Sequence, residues 1–373
     1  MFLWACLWII LTLLVPYGSA FAIILLYSRK YDISRLMRTV AEIPTVSVVI
    51  PTFNEAATIK KKIENTMQLD YPADKLELVI IDCSTDTTPE IVQNLSKTYP
   101  QIRLIRETER KGLATSLNIG YSSAKGEIVV KSDCDSLALT KDALRRIAAL
   151  LANPEIGGVC GVRIGGDDIE GGFRSLQVTQ QKAESEIDST IVAHGSFAAF
   201  RKDLMSPIDP TSFADDTELF MKVRRKGGRV VLDTSITTYE PYEKQAVRRL
   251  SQRRRRGGGI VRVLLENAGV LVSDLDWKFS YVVYPINLLT LVLFPWTLLI
   301  GTVAALLALW EASIPLAIGG LVLAILVLGS YFVGRPKAIA GLLDIAVASA
   351  LGELDLLKGK PQYIWEKASI DES

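Results

Sequence analysis

The hydrophobic pattern divides the chain into apolar ends and an alternating middle. Phe2 to Tyr27 is almost wholly apolar, long enough at about 1.5 Å per residue to cross about 30 Å of hydrocarbon. Arg29, Lys30, Arg35 and Arg38 follow it. A cleaved signal peptide is the competing expectation, since Ser19-Ala20-Phe21-Ala22 offers small residues for cleavage. No Lys or Arg precedes the run, however, and the positive charges behind it favour an anchor with its amino terminus outside.

From Thr45 the period changes. VSVVIP (Val46 to Pro51) predicts a short buried strand, with Asn54 capping a helix whose Ile59, Ile63 and Met67 recur every four residues. LELVIID (Leu76 to Asp82) predicts the next strand, then the polar turn CSTDTT and a helix through Ile91, Val92 and Leu95. Ile102 to Ile105 is a third strand, Leu113 to Ser123 a helix, and Ile128 to Val130 a fourth strand. Strand and helix thus alternate at intervals of about 25 to 30 residues, which predicts an α/β domain with right-handed βαβ units and a mainly parallel, Rossmann-like sheet.

Gly157 to Ile164 adds a strand and Phe173 to Thr190 a polar, glutamine-rich helix. His194 to Phe200 is turn chemistry entering an apolar segment, and His194 is expected to be a packing residue. In FADDTELFMKVRRKGG, Asp215 and Glu218 have the spacing of a capping box, and Gly227 ends the helix. The cap leaves Asp216 without a structural task.

Tyr242 to Asn267 interleaves apolar residues with Lys244, Arg248, Arg249, Arg253 to Arg256 and Arg262. It predicts a basic amphipathic helix, broken by Gly257 to Gly259, along the cytosolic membrane face. Ser280 to Trp310 predicts a second span, kinked at Pro285 and Pro295, and Ile314 to Gly334 a third. Arg335, Lys337, Lys358 and Lys360 behind the third span place the tail inside, giving about three crossings. Asp344, Glu353 and Asp355 make a further crossing by 338–357 costly, so an interfacial helix is expected there. The resulting layout is an anchor at 1–28, a linker at 29–44, a cytosolic domain at 45–240 and basic interfacial helices at 241–278. Spans at 279–310 and 313–335 follow, then an interfacial helix and cytosolic tail at 336–373.

Composition agrees with a multi-pass protein of the cell membrane that carries a cytoplasmic domain. The chain has 373 residues, 49% hydrophobic, with a mean hydropathy of +0.26. A net charge of +1 gives no bulk preference for nucleic acid. The four cysteines lack CxxC spacing, so neither a zinc site nor a disulfide framework is indicated.

The most informative stretch is GEIVVKSDCDS, Gly126 to Ser136. A buried strand gives way to Asp133 and Asp135, at the sheet end where open α/β folds bind ligands. Paired carboxylates on a short loop suit a hard divalent cation shared with a diphosphate, although Asp-x-Asp alone is also ordinary turn chemistry.

Taken in order, PTFNE (Pro51 to Glu55), IDCSTD (Ile81 to Asp86), RKGLATSLNIG (Arg110 to Gly120), GEIVVKSDCDS, ADDTEL (Ala214 to Leu219) and QRRRR (Gln252 to Arg256) resemble the family-2 glycosyltransferases. Within that family the chain is most similar to the membrane-embedded branch around cellulose and hyaluronan synthases. A finer likeness points to archaeal membrane mannosyltransferases that use GDP-mannose and dolichyl-phosphate-linked acceptors. The resemblance covers about Val46 to Arg256. It implies a GT-A nucleotide-sugar domain, Mn2+ or Mg2+ at Asp133 and Asp135, and catalytic acids in the motif matched by Asp215 and Asp216. It also implies a Gln-x-x-Arg-Trp motif over the diphosphate, matched by Gln252 and Arg255. Pro51, Thr52, Asn54, Glu55 and Asp82 would then lie near base and ribose, and Lys111 near phosphate or base. Gly195, Ser196 and Arg256 are expected on the acceptor side, beside a polyprenyl or dolichyl phosphate lipid. Three positions depart from the pattern: Cys83, Asp215, and Arg256 in place of tryptophan.

The expected reaction is inverting transfer of a sugar from a nucleotide sugar to the lipid-linked acceptor, as in N-glycan assembly. Alternatives are a polyprenyl-phosphate glycosyl synthase, in which the lipid phosphate attacks, a processive polysaccharide synthase, and a non-catalytic scaffold. A nucleotidylyltransferase would need a glycine-rich loop that PTFNE does not supply.

Overall fold

A computed structural model describes residues 2–164, 168–192, 195–240, 246–273, 275–333 and 337–359. His194, the start of the basic segment at 241–245 and the tail from 360 lie outside them.

Helix α1 (Phe2–Lys30) leads into an α/β unit. β1 (Val46–Thr52), α2 (Ile59–Met67), β2 (Leu76–Asp82), α3 (Thr88–Ser96), β3 (Ile102–Arg106), α4 (Leu113–Ser123) and β4 (Ile128–Ser132) alternate as the pattern predicts. β5 (Leu137–Ala138), α5 (Ala143–Leu151), β6 (Ile156–Ile164), α6 (Asp168–Ile187), β7 (Phe197–Arg201), α7 (Asp215–Arg225) and β8 (Arg229–Tyr239) complete it. β1, β2 and β4 are almost entirely buried because helices cover both faces, which is why they read as continuous apolar runs. α2 and α5 close one face through Ile59, Ile63, Leu144 and Ile147. α4 and α7 close the other through Leu117, Leu219, Phe220 and Val223.

The sheet order is β3-β2-β1-β4-β7-β6-β8-β5. β3-β2-β1-β4 is parallel as expected. Beyond β4 the expectation of a mainly parallel sheet fails, for β7 runs antiparallel to both β4 and β6, and β5 antiparallel to β8. An apolar pentapeptide such as FAAFR encodes burial but not direction. In the structure the Ser196 carbonyl, just before β7, meets the turn after β4.

Asn54 does not cap α2. It sits in the left-handed region at φ 55, and Thr58 occupies the position before the helix. Asp215 is likewise no cap: Ala214 takes that place, and Glu218 instead accepts from the Asp209 amide at 2.8 Å and pairs with Lys222 at 2.6 Å.

α8 (Ala246–Glu266) runs unbroken through Gly257 to Gly259, against the expected interruption. Three glycines forfeit about 1 kcal/mol each of helix propensity. Close packing offsets that loss, since a Cβ on Gly258 would lie 3.1 Å from the Gly352 Cα of α12 (Lys337–Leu357).

Among the described residues one helix, Phe279–Ala312, is long and apolar enough to cross a membrane, with a mean hydropathy of 2.2 over its best window. It contains α9 (Tyr284–Asn287) and α10 (Phe294–Ala312), each preceded by a π-helical stretch, Phe279–Val283 and Leu288–Leu293. Pro285 and Pro295 fall in the first turns of α9 and α10, so wide turns absorb the expected kinks. Ser313 breaks the helix before α11 (Ile314–Val333), whose described apolar stretch, Ile314–Gly329, is shorter.

Candidate active site

At the carboxyl ends of β1 and β2 the PTFNE and IDCSTD segments interlock. The Thr52 hydroxyl donates to buried Asp82 at 2.6 Å, and Arg106 of β3 and the Ser84 hydroxyl donate to the same carboxylate. The Asn54 side-chain oxygen accepts from the Thr85 amide at 2.9 Å. The Glu55 carboxylate accepts from the Thr58 hydroxyl at 2.6 Å. Pro51, Thr52, Asn54, Glu55 and Asp82 are therefore brought together. Lys111 is exposed, 3.6 Å from Glu109, while Arg110 stacks 4.0 Å over the Phe53 ring and ties its turn to the β1 end. Arg106 was not singled out in the sequence, because neither motif spacing nor apolar period marks it, and Arg110, although it opens the RKGLATSLNIG motif, carried no assigned role.

The centre is Lys131, 3% exposed, on a strand whose other members are apolar or small. Its ammonium donates to Asp215 and to Asp216 at 2.6 Å each and lies 3.7 Å from Asp133. One of the two expected metal acids, Asp133, and the expected catalytic acids Asp215 and Asp216 thus share one cation. Burial disfavours the charged amine, but Asp133, Asp215 and Asp216 outweigh it and hold Lys131 protonated. Burial also raises Asp215, yet Lys131 keeps it below the usual carboxylate range. Asp216 is pushed up to about 8 by burial and by ionised Asp215. Gly195 lies against Asp216, where a Cβ would fall 1.7 Å from Oδ2, so only glycine leaves room for that carboxylate.

The Asp133-x-Asp135 turn is held from below. Buried Lys62 donates to the Ser132 hydroxyl at 2.6 Å and the Ser136 carbonyl at 2.7 Å. The Ser132 and Ser136 hydroxyls donate to the Ser196 carbonyl, at 3.1 and 3.0 Å. Ser196, expected on the acceptor side, is thus buried as a support for the turn. On the opposite flank Glu240 accepts from Arg163 at 2.7 Å and lies 3.8 Å from Arg256.

Residues 47–208 match glycosyl transferase family 2, and residues 128–331 match glycosyl transferase family group 2. The chain belongs to glycosyl transferase family group 2. A mannosyltransferase from Pyrobaculum calidifontis, solved with GDP-Man and Mn2+, is similar with a TM-score of 0.72 at 29% identity, over 92% of this chain and 98% of that one. A dolichol-phosphate mannosyltransferase of Pyrococcus furiosus is 39% identical over 95 residues, 24% of this chain and 25% of that protein. The probable glycosyltransferase YdaM of Bacillus subtilis is 24% identical over 234 residues, 56% of this chain and 53% of its own length. The chain spans about half the length, or less, of these curated relatives.

Within this transferase Asp133 and Asp135 fit a divalent cation. Burial, then Asp133, Glu240 and Glu55, push Asp135 up to about 7, and burial raises Asp133 despite Lys131. That crowding of negative charge is what a dication relieves. Among the described residues no group of three or more His, Cys, Asp or Glu is gathered for a metal. Two carboxylates would supply only part of the oxygen shell of such an ion. Above it, α8 presents Arg255 and Arg256. Burial and Arg256 lower Arg255 while Asp215 draws the opposite way, and Arg256 is 54% exposed beside Glu240. Gln252 is half-buried on the same helix.

Proposed function

We propose that the chain is an inverting glycosyltransferase that moves one mannose from GDP-mannose to a dolichyl- or polyprenyl-phosphate-linked acceptor at the cytosolic membrane face, in glycan assembly. The observation that carries this reading is the buried acid cluster around Lys131, in which Asp216 is raised to about 8 beside Asp133. A general base works best with a pKa near the operating pH. The GDP-Man and Mn2+ of the Pyrobaculum enzyme support the donor and metal, and the Pyrococcus dolichol-phosphate enzyme supports the lipid.

In this reading Asp133 and Asp135 hold Mn2+ or Mg2+, which when bound offsets charge on the departing diphosphate. Arg255, with Gln252, adds a forked contact to the same phosphates, which a lysine would make less specifically. The base and ribose lie against Pro51, Thr52, Asn54, Glu55 and Asp82, with Lys111 at the rim. Asp216 takes the proton of the acceptor hydroxyl as its oxygen bonds to the anomeric carbon and the bond to the diphosphate breaks. Lys131 keeps Asp215 ionised and orients Asp216. Arg256 presents a fixed cation where polymer-making relatives carry an aromatic ring for a sliding glycan, which suits an acceptor phosphate and a single addition. The crossing helix, with α1 and α11 as further crossings, forms a groove for the lipid tail.

The test uses the full chain purified in detergent, with a panel of nucleotide sugars, divalent cations and a polyprenyl-phosphate-linked acceptor. A single mass increment on the lipid, lost in excess chelator and restored by Mn2+ or Mg2+, is expected. Transfer undiminished after verified metal removal, or a ladder of many added sugars, overturns the proposal.

A further inference from the structure

The segment QRRRRGGG, Gln252 to Gly259, has two working sides. Residues three and four apart share one side of a helix, which groups Gln252, Arg255, Arg256 and Gly259 apart from Arg254, Gly257 and Gly258. The contacts follow that division. Gly259 packs on the residues just before Asp215, where a Cβ would lie 2.9 Å from both the Ala214 Cβ and the Phe213 ring. On the other side Arg254 forms a two-pronged pair with Asp355 of α12. Gly258 and Gly352 bring the two backbones together, a Cβ on Gly352 falling 2.5 Å from the Gly258 nitrogen. Glu353, next to Gly352, accepts from the Trp296 indole of the crossing helix.

We infer that α12 is a registration clamp, in which Asp355 and Gly352 are positioning residues that fix the rotation and axial placement of α8 against the crossing helix. The inference rests on the proposal that Arg255 binds the donor diphosphate. A helix on so flat a glycine seam has no side-chain ridges to set its register, so the forked pair at one end supplies it. The Arg254 and Asp355 side chains are 43% and 27% exposed, so the pair adds little stability. Its effect is geometric. A residue slip moves α8 by about 1.5 Å and swings Arg255 by about 100°, off the phosphates. The acidic residues near the end of α12 are thereby explained as partners of Arg254 and Trp296.

The experiment measures donor KM and kcat on the full chain for Asp355→Asn, Asp355→Arg, Gly352→Ala and the exchanged pair Arg254→Asp with Asp355→Arg. Arg255→Ala is measured in parallel, and monodispersity in detergent confirms folding. Asp355→Arg and Gly352→Ala should raise donor KM roughly tenfold to a hundredfold while kcat changes by less than about threefold. Asp355→Asn should raise it less, and the exchanged pair should recover most of the loss. Should Asp355→Arg not fold, Asp355→Asn and Gly352→Ala decide. Donor KM unchanged in the clamp variants but raised in Arg255→Ala overturns the clamp and leaves the Arg255 assignment standing. Donor KM unchanged in Arg255→Ala overturns that assignment instead. A fall in kcat alone, or an exchanged pair no better than Asp355→Arg, also overturns the clamp.

Discussion

In the parallel half of the sheet, each site residue is held by a neighbour one loop or one strand away. Thr52 meets Asp82 at a sequence separation of 30, Asn54 meets Thr85 at 31, and Glu55 meets Thr58 at 3. From the end of β4 onward, where the sheet turns mixed and the carboxyl-terminal helices pack, the holding contacts are long. Lys131 reaches Asp215 and Asp216 at separations of 84 and 85, and Arg254 reaches Asp355 at 101. The proposed donor side is thus assembled by local turn chemistry. The proposed catalytic side exists only once distant elements have docked, and substitutions there should be the more damaging.

The largest effect is expected at Asp216. Asp216→Asn keeps the shape and loses the base, so turnover should fall by about 100-fold to 10,000-fold. Stability should move the other way. The folded pKa of about 8 exceeds the ordinary 3.8, so Asp216 binds its proton more tightly folded than unfolded. Its stabilising contribution is fully present below the unfolded value and is lost as pH rises through the folded one. The wild type should accordingly lose ground to Asp216→Asn between about pH 4 and 8, with kcat/KM of the wild type rising over the upper part of that range. Thermal melts at several pH values, with rates, check both signs. Near-normal turnover in Asp216→Asn would favour attack by a lipid phosphate, which needs no base.

Lys131→Met comes next. It leaves Asp215 and Asp216 buried without their cation, which should cost about 3–5 kcal/mol and most of the activity. Acid should partly restore the melting temperature by protonating the stranded carboxylates. A variant as stable as wild type at pH 8 would show that the cluster does not depend on Lys131.

Asp215→Asn sharpens the same point at smaller scale. As a helix cap it would be nearly silent, because asparagine caps as well as aspartate. As the buried partner of Lys131 it should cost about 1.5–3 kcal/mol in thermal or denaturant unfolding. A loss of a few tenths would return Asp215 to the role its spacing to Glu218 suggests.

What the sequence disclosed follows the same division. β1, β2 and β4 were legible because each is a largely apolar run ending in polar turn residues, and the acids at those ends were legible as a site. The direction of β7 was not, since its apolar part FAAF reads alike either way. The Asp-x-x-Glu spacing of Asp215 and Glu218 misled because Asp215 pairs with Lys131, 84 residues away, and Glu218 with Lys222 and the Asp209 amide, none of which the spacing displays. Lys131 could have been found: a lysine inside a buried run requires an acid nearby, and Asp216 is an acid without an explained task. Gly257 to Gly259 were read as a break because propensity was weighed without the α12 surface that compensates it.

The smallest effect belongs to the donor side and separates two accounts of Asn54. If Asn54 began α2 as a cap, threonine would serve nearly as well, and Asn54→Thr would cost a few tenths of a kcal/mol. The structure instead puts Asn54 at φ 55 with its oxygen bridging to the Thr85 amide. A β-branched residue is disfavoured in that region by about 1–2 kcal/mol, whereas glycine enters it freely and loses only the bridge. Asn54→Thr should therefore melt lower than Asn54→Gly in thermal unfolding. The reverse order would place Asn54 back at the helix terminus. It would also remove the direct tie between the first two strand ends on which the local character of the donor side rests.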